Sequence, residues 1–282
     1  MRMISTFGEG FLSKVHKNRL RGNFVPLGSA SGRFACHEPN LLALPNQPLF
    51  QACLVPESGQ VILHFDYGAF ELRILAALSQ DKTLLAIFND NRDIHSMVAK
   101  AVFNTPVSKS ENAHLRDQAK ILNFGIIYGM GEQALAQQLK ISRTQANLLL
   151  HNYFARFKKV HEFLLSLEEY ALQKGYIKTA LGRRIYLPQD AMKDVRHCKR
   201  VARNAPIQGT GADIVKLALC KVFKRLYYED TNARIVNVVH DELVIECAEK
   251  HMHDISALVK KEMESAFNTT LPQVIADITV TN

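Results

Sequence analysis

Arg234-Ile235-Val236-Asn237-Val238-Val239-His240-Asp241-Glu242-Leu243-Val244-Ile245-Glu246-Cys247 reads as two strands joined by a hairpin, with His240-Asp241 near its tip. β-Branched and apolar residues fill both arms, a composition that suits a pleated, half-buried surface. A second apolar stretch, Val61-Ile62-Leu63-His64-Phe65-Asp66, also stops at an aspartate. A strand end holds a side chain on a rigid element and leaves it open to solvent and ligand. Two such carboxylates brought together suit a hard divalent cation such as Mg²⁺, which takes oxygen ligands and keeps some water and substrate phosphate.

Working outward from these strands, Glu71 to Leu78 carries Leu72, Leu75 and Leu78 on one helical face. Asp93 to Phe103 and Glu111 to Tyr128 read as helices separated by Asn104-Thr105-Pro106. Ser142 to Lys174 holds one or two long amphipathic helices, with Ser142 as N-cap before Arg143-Thr144-Gln145. Gly175 to Pro188 reads as a hairpin turning at Leu181-Gly182-Arg183. Asp194 to Tyr228 reads as helix interrupted around Pro206 to Gly211, followed by a helix from His251 to Phe267 and a strand from Val274 to Val280. The first sixty residues, rich in Gly, Pro and Asn, read as loops and short strands. Helices cluster in the middle and strands at either side, which predicts an α+β fold.

The chain has 282 residues, long enough for one large or two modest domains. No apolar run approaches the length of a bilayer, and the N-terminus lacks the apolar core of a signal peptide, so the chain reads as intracellular and soluble, with no membrane partner. Cys36, Cys53, Cys198, Cys220 and Cys247 are widely spaced without a C-x-x-C pair, which argues against a disulfide framework or a zinc site. A net charge of +8 suits an anionic partner. Lys178, Arg183, Arg184, Lys193, Arg196, Lys199, Arg200 and Arg203 face only Asp190 and Asp194 within that stretch. They form either a solvated basic face or a surface for nucleic-acid phosphates.

Arg116, Lys120 and Phe124 are spaced by four and advance about 40° per step, so they form one slowly drifting stripe on a helix. Two cations followed by an aromatic ring suit a triphosphate tail and then a sugar or base. An exposed basic helix with core aromatics is the alternative.

Asp66-Tyr67-Gly68-Ala69-Phe70-Glu71-Leu72-Arg73 resembles the first polymerase motif of the family A DNA polymerases, the bacterial DNA polymerase I type, usually written D-Y-S-Q-I-E-L-R. Arg116-x-x-x-Lys120-x-x-x-Phe124-Gly125-x-x-Tyr128-Gly129 resembles the second motif, and His240-Asp241-Glu242 the third. Arg200-x-x-x-Asn204-Ala205-Pro206-x-Gln208-Gly209-Thr210, Ser31-Gly32-Arg33 with Pro39-Asn40-Leu41, and Asp93-Ile94-His95 match further stretches of the same family in order. The resemblance covers roughly residues 5 to 270. It implies a palm with an antiparallel sheet plus helical fingers, the palm at 1–95 and 191–282 and the fingers at 96–190.

The activity so implied is DNA-templated addition of dNTPs to a primer 3′ end with two Mg²⁺ ions, Mn²⁺ being a substitute. Asp66, Asp241 and the backbone carbonyl of Tyr67 become the metal ligands; Glu242 either assists through water or faces solvent. Arg116 is expected on the outer phosphates, Lys120 on a phosphate nearer the reacting centre, and His95 on a further phosphate oxygen. Phe124 is expected to pack on the deoxyribose, Tyr128 to close the base pocket, and Glu71 to obstruct a ribose 2′-hydroxyl. Phenylalanine at 124 in place of tyrosine predicts rejection of 2′,3′-dideoxynucleotides. Arg33, Arg200, Asn204, Gln208 and His240 are expected beside the primer-template DNA, where purine N3 and pyrimidine O2 accept hydrogen bonds in every base pair.

The chain departs from the pattern at Gly68 and Ala69, where the family has Ser-Gln, and it contains no Trp. The resemblance begins just before the palm, with most of the thumb and any 3′–5′ exonuclease domain outside it. That predicts synthesis without proofreading and with low processivity. The alternative reading is a nucleic-acid-binding fragment or subunit that needs a separate polypeptide to supply the thumb or exonuclease. The expected location is the cytoplasm, of a bacterial cell or of a host to a phage or plasmid.

Overall fold

A computed structural model of the chain describes residues 4–45, 47–188, 194–229 and 231–282. After a π-helical turn (Ile4–Glu9) and the short α1 (Gly10–Leu12), β1 (Val15–His16) pairs with β2 (Arg19–Leu20) and β3 (Asn23–Val25) with β4 (Ala35–His37). The short α2 (Pro48–Gln51) leads to β5 (Gln60–Tyr67). Helices α3 (Phe70–Ser79), α4 (Lys82–Asn89), α5 (Ile94–Phe103), α6 (Ala113–Ile127), α7 (Glu132–Leu139), α8 (Arg143–Arg156) and α9 (Lys158–Lys174) follow. The hairpin β6 (Tyr176–Lys178) and β7 (Arg184–Tyr186) precedes α10 (Val195–Tyr228), and β8 (Arg234–Val239), β9 (Glu242–Ala248), α11 (Met252–Thr270) and β10 (Ile278–Thr281) complete the order. The α+β class and the antiparallel sheet expected from the sequence are both present.

Two compact units emerge. The first comprises the described residues of Met1–Gly68, Ala212–Ala266 and Asp277–Asn282, the second Ala69–Gly211 and Phe267–Ala276.

The first unit is built on an antiparallel sheet of order β10-β5-β9-β8. Along β5, Leu63, Phe65 and Tyr67 are buried on one face, and the alternation of a strand sends His64 and Asp66 to the other. Tyr67 fixes the buried face by donating its phenol O–H to the Met263 carbonyl of α11 at 2.8 Å. A satellite core of Phe11, Cys36 and Leu41, with Phe7, Leu20 and Phe24 packed on it, holds the short strands at the front of the chain.

The second unit is mostly helical, and side-chain caps set the starts of α4, α5 and α8. Asp81 accepts from the backbone N–H groups of Thr83 and Leu84 at 3.0 Å, and Asp93 from Ser96 N–H at 3.0 Å. Ser142 caps α8 as expected, in a reciprocal pair with Gln145. The long segment after it resolves into two helices that break at the fully buried Phe157.

Three expectations shift. Pro206 does not interrupt its helix: α10 runs unbroken through it, because Ala205, Pro206 and Ile207 are all buried and their burial outweighs the one backbone hydrogen bond a proline removes. Burial alternates from Val274 as the sequence suggests, but pairing with β5 begins only at Ile278. The basic stretch is partly consumed internally. Buried Glu168 takes both Arg203 and Lys199, Arg183 donates to the Gly209 carbonyl at 3.1 Å, and Arg184 lies over the Tyr176 ring. Lys193 and Asp190 lie outside the described residues. Arg203→Ala is therefore expected to lower stability by about 1–3 kcal/mol, because a buried carboxylate loses its better-buried partner and, among the described residues, keeps the half-exposed Lys199. Unchanged denaturant midpoints would contradict that role.

Cys36, Cys198 and Cys247 are buried and all five cysteines are free thiols, in agreement with the absence of a disulfide framework in the sequence pattern. Among the described residues, no helix is long and apolar enough to cross a membrane.

Candidate active site

In the first unit, the register of β5 against β9 sets Asp66 directly opposite Glu242. The hairpin turn between β8 and β9 is the two residues His240 and Asp241, closed by the pair Val239 and Glu242. His240 takes a positive φ of 54°, a conformation His adopts more readily than most non-glycine residues. Tyr67 N–H points to the Asp241 carbonyl at 3.4 Å, so the end of β5 and the turn are adjacent. Asp66, Tyr67, Asp241 and Glu242 are thereby brought together at one end of the sheet.

The electrostatics of this corner are those of crowded acids. Asp66 keeps solvent access, yet its carboxyl is pushed up to about 7, by partial desolvation first and then by Asp241, Glu242 and Asp277. His64 hydrogen-bonds Glu242 through Nδ1, and that bond holds its imidazole pKa above the usual value. His64 was not singled out from the sequence; its place two residues before Asp66 puts it on the same face by strand period and was the available signal. Oxygen donors under mutual repulsion fit a hard divalent cation. Among the described residues no group of three or more His, Cys, Asp or Glu side chains gathers to hold a metal, so a bound ion would complete its shell with water or phosphate oxygen.

The departure at Gly68 has a physical reason. Its N–H donates to the Asp277 carbonyl at 2.8 Å, and a Cβ there would stand 2.6 Å from the Asp277 Oδ2. Asp277 occupies the space a serine side chain would need. Arg33 lies on the loop between β3 and β4, which Lys216 anchors by donating to the Gly32 carbonyl and by lying 5.1 Å over the Phe34 ring.

In the second unit, α6 divides into a buried face and a more open stripe. Ala119, Leu122, Asn123, Ile126 and Ile127 are buried, whereas Arg116 and Phe124 are half-buried and Lys120 and Tyr128 exposed. Arg116 donates from Nε and Nη2 to both carboxylate oxygens of Asp93, at 2.8 and 2.9 Å. Partial burial pushes the Asp93 carboxyl up, but hydrogen bonds from Arg116 and Ser96 outweigh it and hold the group far below the usual carboxylate range. His95, in the first turn of α5, lies beside Phe124 with ring centroids 6.0 Å apart and the rings tilted. Its imidazole is pushed down to about 4, mainly by burial, with Arg116 and Lys120 acting in the same direction and Asp93 opposing. It is neutral at pH 7.

Glu71, buried in the first turn of α3, accepts a hydrogen bond from the Tyr128 hydroxyl at 3.0 Å. Arg73, the last residue of the first motif, is structural: it lies 4.6 Å over the Phe88 ring and donates to the Ile275 carbonyl at 2.5 Å. On α10, Arg200, Asn204 and Gln208 share a stripe at spacing four, and Arg200 packs close to Gly129, where a Cβ would lie 3.2 Å from the Arg200 Cα. Gly129 has a φ of 66°, so the turn after α6 needs glycine on both counts. Asp93 and Asn123 are the contributors missed from the sequence here.

The chain is similar to known proteins in both sequence and fold. The family profile described as DNA polymerase family A matches residues 1–281. DNA polymerase I of Caldicellulosiruptor bescii is 36% identical over 97% of this chain and 33% of its own length. The thermostable DNA polymerase I of Thermus aquaticus is 35% identical over 96% of this chain and 33% of its own length. The solved structure described as the POL domain of Pol1 from M. smegmatis in complex with DNA primer-template and dNTP superposes with a TM-score of 0.90, at 34% identity, over 99% of this chain and 51% of that one. The chain thus spans about a third of the length of these curated relatives and belongs to DNA polymerase family A.

Proposed function

We propose that this chain is the palm and fingers of a DNA-templated DNA polymerase, with palm at 1–95 and 191–282 and fingers at 96–190. The observation that carries the proposal is the meeting of Asp66, Asp241 and Glu242 at one sheet end, within motifs of a family that uses catalytic Mg²⁺. The primer 3′ oxygen attacks the α-phosphorus of a dNTP, its proton is lost, and pyrophosphate departs. When bound, Mg²⁺ lowers the pKa of a coordinated hydroxyl and offsets charge on the leaving oxygens. We assign two ions, with Mn²⁺ as substitute, to Asp66, Asp241, the Tyr67 carbonyl and, through water, Glu242.

Arg116 takes the outer phosphates, oriented by its bidentate pair with Asp93. Lys120 takes a phosphate nearer the reacting centre, where charge develops. His95 donates a neutral N–H to a phosphate oxygen, and Phe124 packs on the deoxyribose. Arg33, Arg200, Asn204, Gln208 and His240 serve primer-template DNA through acceptors common to every base pair. The relevant ligands, primer-template and dNTP, are those bound by the M. smegmatis protein. This role places the chain with DNA in the cytoplasm.

Glu71, held by Tyr128, excludes ribonucleotides. Glu71→Ala is expected to raise NTP incorporation relative to dNTP incorporation by roughly 10–100-fold, the scale of a one-group steric filter. Unchanged discrimination would remove Glu71 from that role.

Primer extension with purified protein, comparing dNTPs with NTPs and wild type with Asp66→Ala and Asp241→Ala, tests the proposal. Because the chain spans a third of its relatives' length, the alternative is a chain that binds primer-template but extends it only with a separate polypeptide supplying the thumb or exonuclease. Extension restored by such a polypeptide would favour that alternative.

A further inference from the structure

Asn123 is fully buried on α6, although its neighbours on that face are apolar. Its side-chain Nδ2 lies 3.1 Å from Nδ1 of His95 on α5, and its Oδ1 has no hydrogen-bond partner among the described residues. A buried amide oxygen without a partner costs stability, and an aliphatic side chain of similar size would fill the same volume without that cost. Packing alone therefore does not account for asparagine at 123. The bond it does make has a chemical consequence. An amide nitrogen only donates, so Nδ1 of His95 accepts, and a neutral ring must carry its proton on Nε2.

We propose that Asn123 is a positioning residue for nucleotide binding: it locks His95 in the neutral Nε2–H tautomer, so that the ring presents one fixed N–H donor to a phosphate oxygen of the incoming nucleotide. The proposal rests on the phosphate-contact role given to His95 above. The remaining surroundings of the ring are consistent with it. Arg116 and Lys120 disfavour an imidazolium, Asp93 and Asp117 favour one, and with burial added the ring stays neutral. The Phe124 ring, tilted 42° to the imidazole, packs beside it. The same helix thus supplies two cations to the phosphates and, from its buried face, the group that orients a neutral donor.

Two measurements on the full chain test this. ¹⁵N NMR of the wild type at pH 7 is expected to show His95 with a protonated Nε2 and an unprotonated Nδ1; a protonated Nδ1 overturns the proposal without any variant. Calorimetric titration with dTTP and Mg²⁺ is expected to give about fivefold weaker binding for Asn123→Leu. His95→Ala should weaken binding at least as much, and adding Asn123→Leu to it should cost nothing further. Equal losses from Asn123→Leu in the wild-type and His95→Ala backgrounds would mean a merely structural role and overturn the proposal. His95→Ala with unchanged dTTP affinity would overturn it through the phosphate reading, and the NMR result shows separately whether Asn123 sets the tautomer.

Discussion

Asp66→Asn is expected to cut primer extension by about 10³-fold or more, the scale of losing one group that stabilises transition-state charge, while raising the melting temperature of the metal-free protein. Both effects come from the same feature. Asp66 stands opposite Glu242 on the sheet, with Asp241 in the adjacent turn and Asp277 close by. Partial desolvation first, and then repulsion from these carboxylates in the absence of a cation, lift the Asp66 carboxyl from 3.8 to about 7. The sign follows from proton counting. Below the unfolded value both states hold the proton and nothing is lost. Between 3.8 and about 7 the unfolded chain has released it while the folded chain retains it, so stability falls as pH rises through that window. Above it the penalty is complete. The gain in melting temperature from Asp66→Asn should therefore be largest near pH 8 and vanish near pH 4, and added Mg²⁺ should stabilise the wild type more than the variant. A variant that melts below the wild type at pH 8 in chelator would contradict the crowding of acids at this corner.

Lys120→Ala is expected to lower the rate of single-nucleotide incorporation by about 10²–10³-fold, with primer-template affinity little changed. Lys120 is the exposed middle member of the α6 stripe, one turn from Arg116 and one turn from Phe124. Arg116 is tied to Asp93 and in the proposed role orients the phosphates, whereas the ammonium of Lys120 is a mobile point charge. It is therefore suited to follow charge as it develops. Single-turnover kinetics separate the possibilities: a fall in maximal rate places Lys120 at the transition state, and a rise in apparent dNTP Kd alone would reduce it to uniform binding.

Much of this was legible in the sequence because it depended on period. Strand alternation around Phe65 and Asp66 and the spacing of four from Arg116 to Tyr128 are geometric consequences of local structure, and both recur in the fold. Ser142 was legible as a cap for the same reason. Pro206 misled because a local penalty was read without the burial around Ala205 and Ile207 that outweighs it. The partners of Glu242, Arg116, Arg203 and His95 were not legible, since His64, Asp93, Glu168 and Asn123 meet them across 178, 23, 35 and 28 positions of chain. Nothing local marks such a pair. The exchange of serine for glycine at 68 likewise looked like a simple loss until Asp277 was seen to fill the space.

The most direct test of the central claim is single-dNTP incorporation on a primer-template in Mg²⁺. The account predicts incorporation directed by the template base, abolished by chelator and by either Asp66→Ala or Asp241→Ala. Incorporation that survives either substitution at near wild-type rate would contradict it.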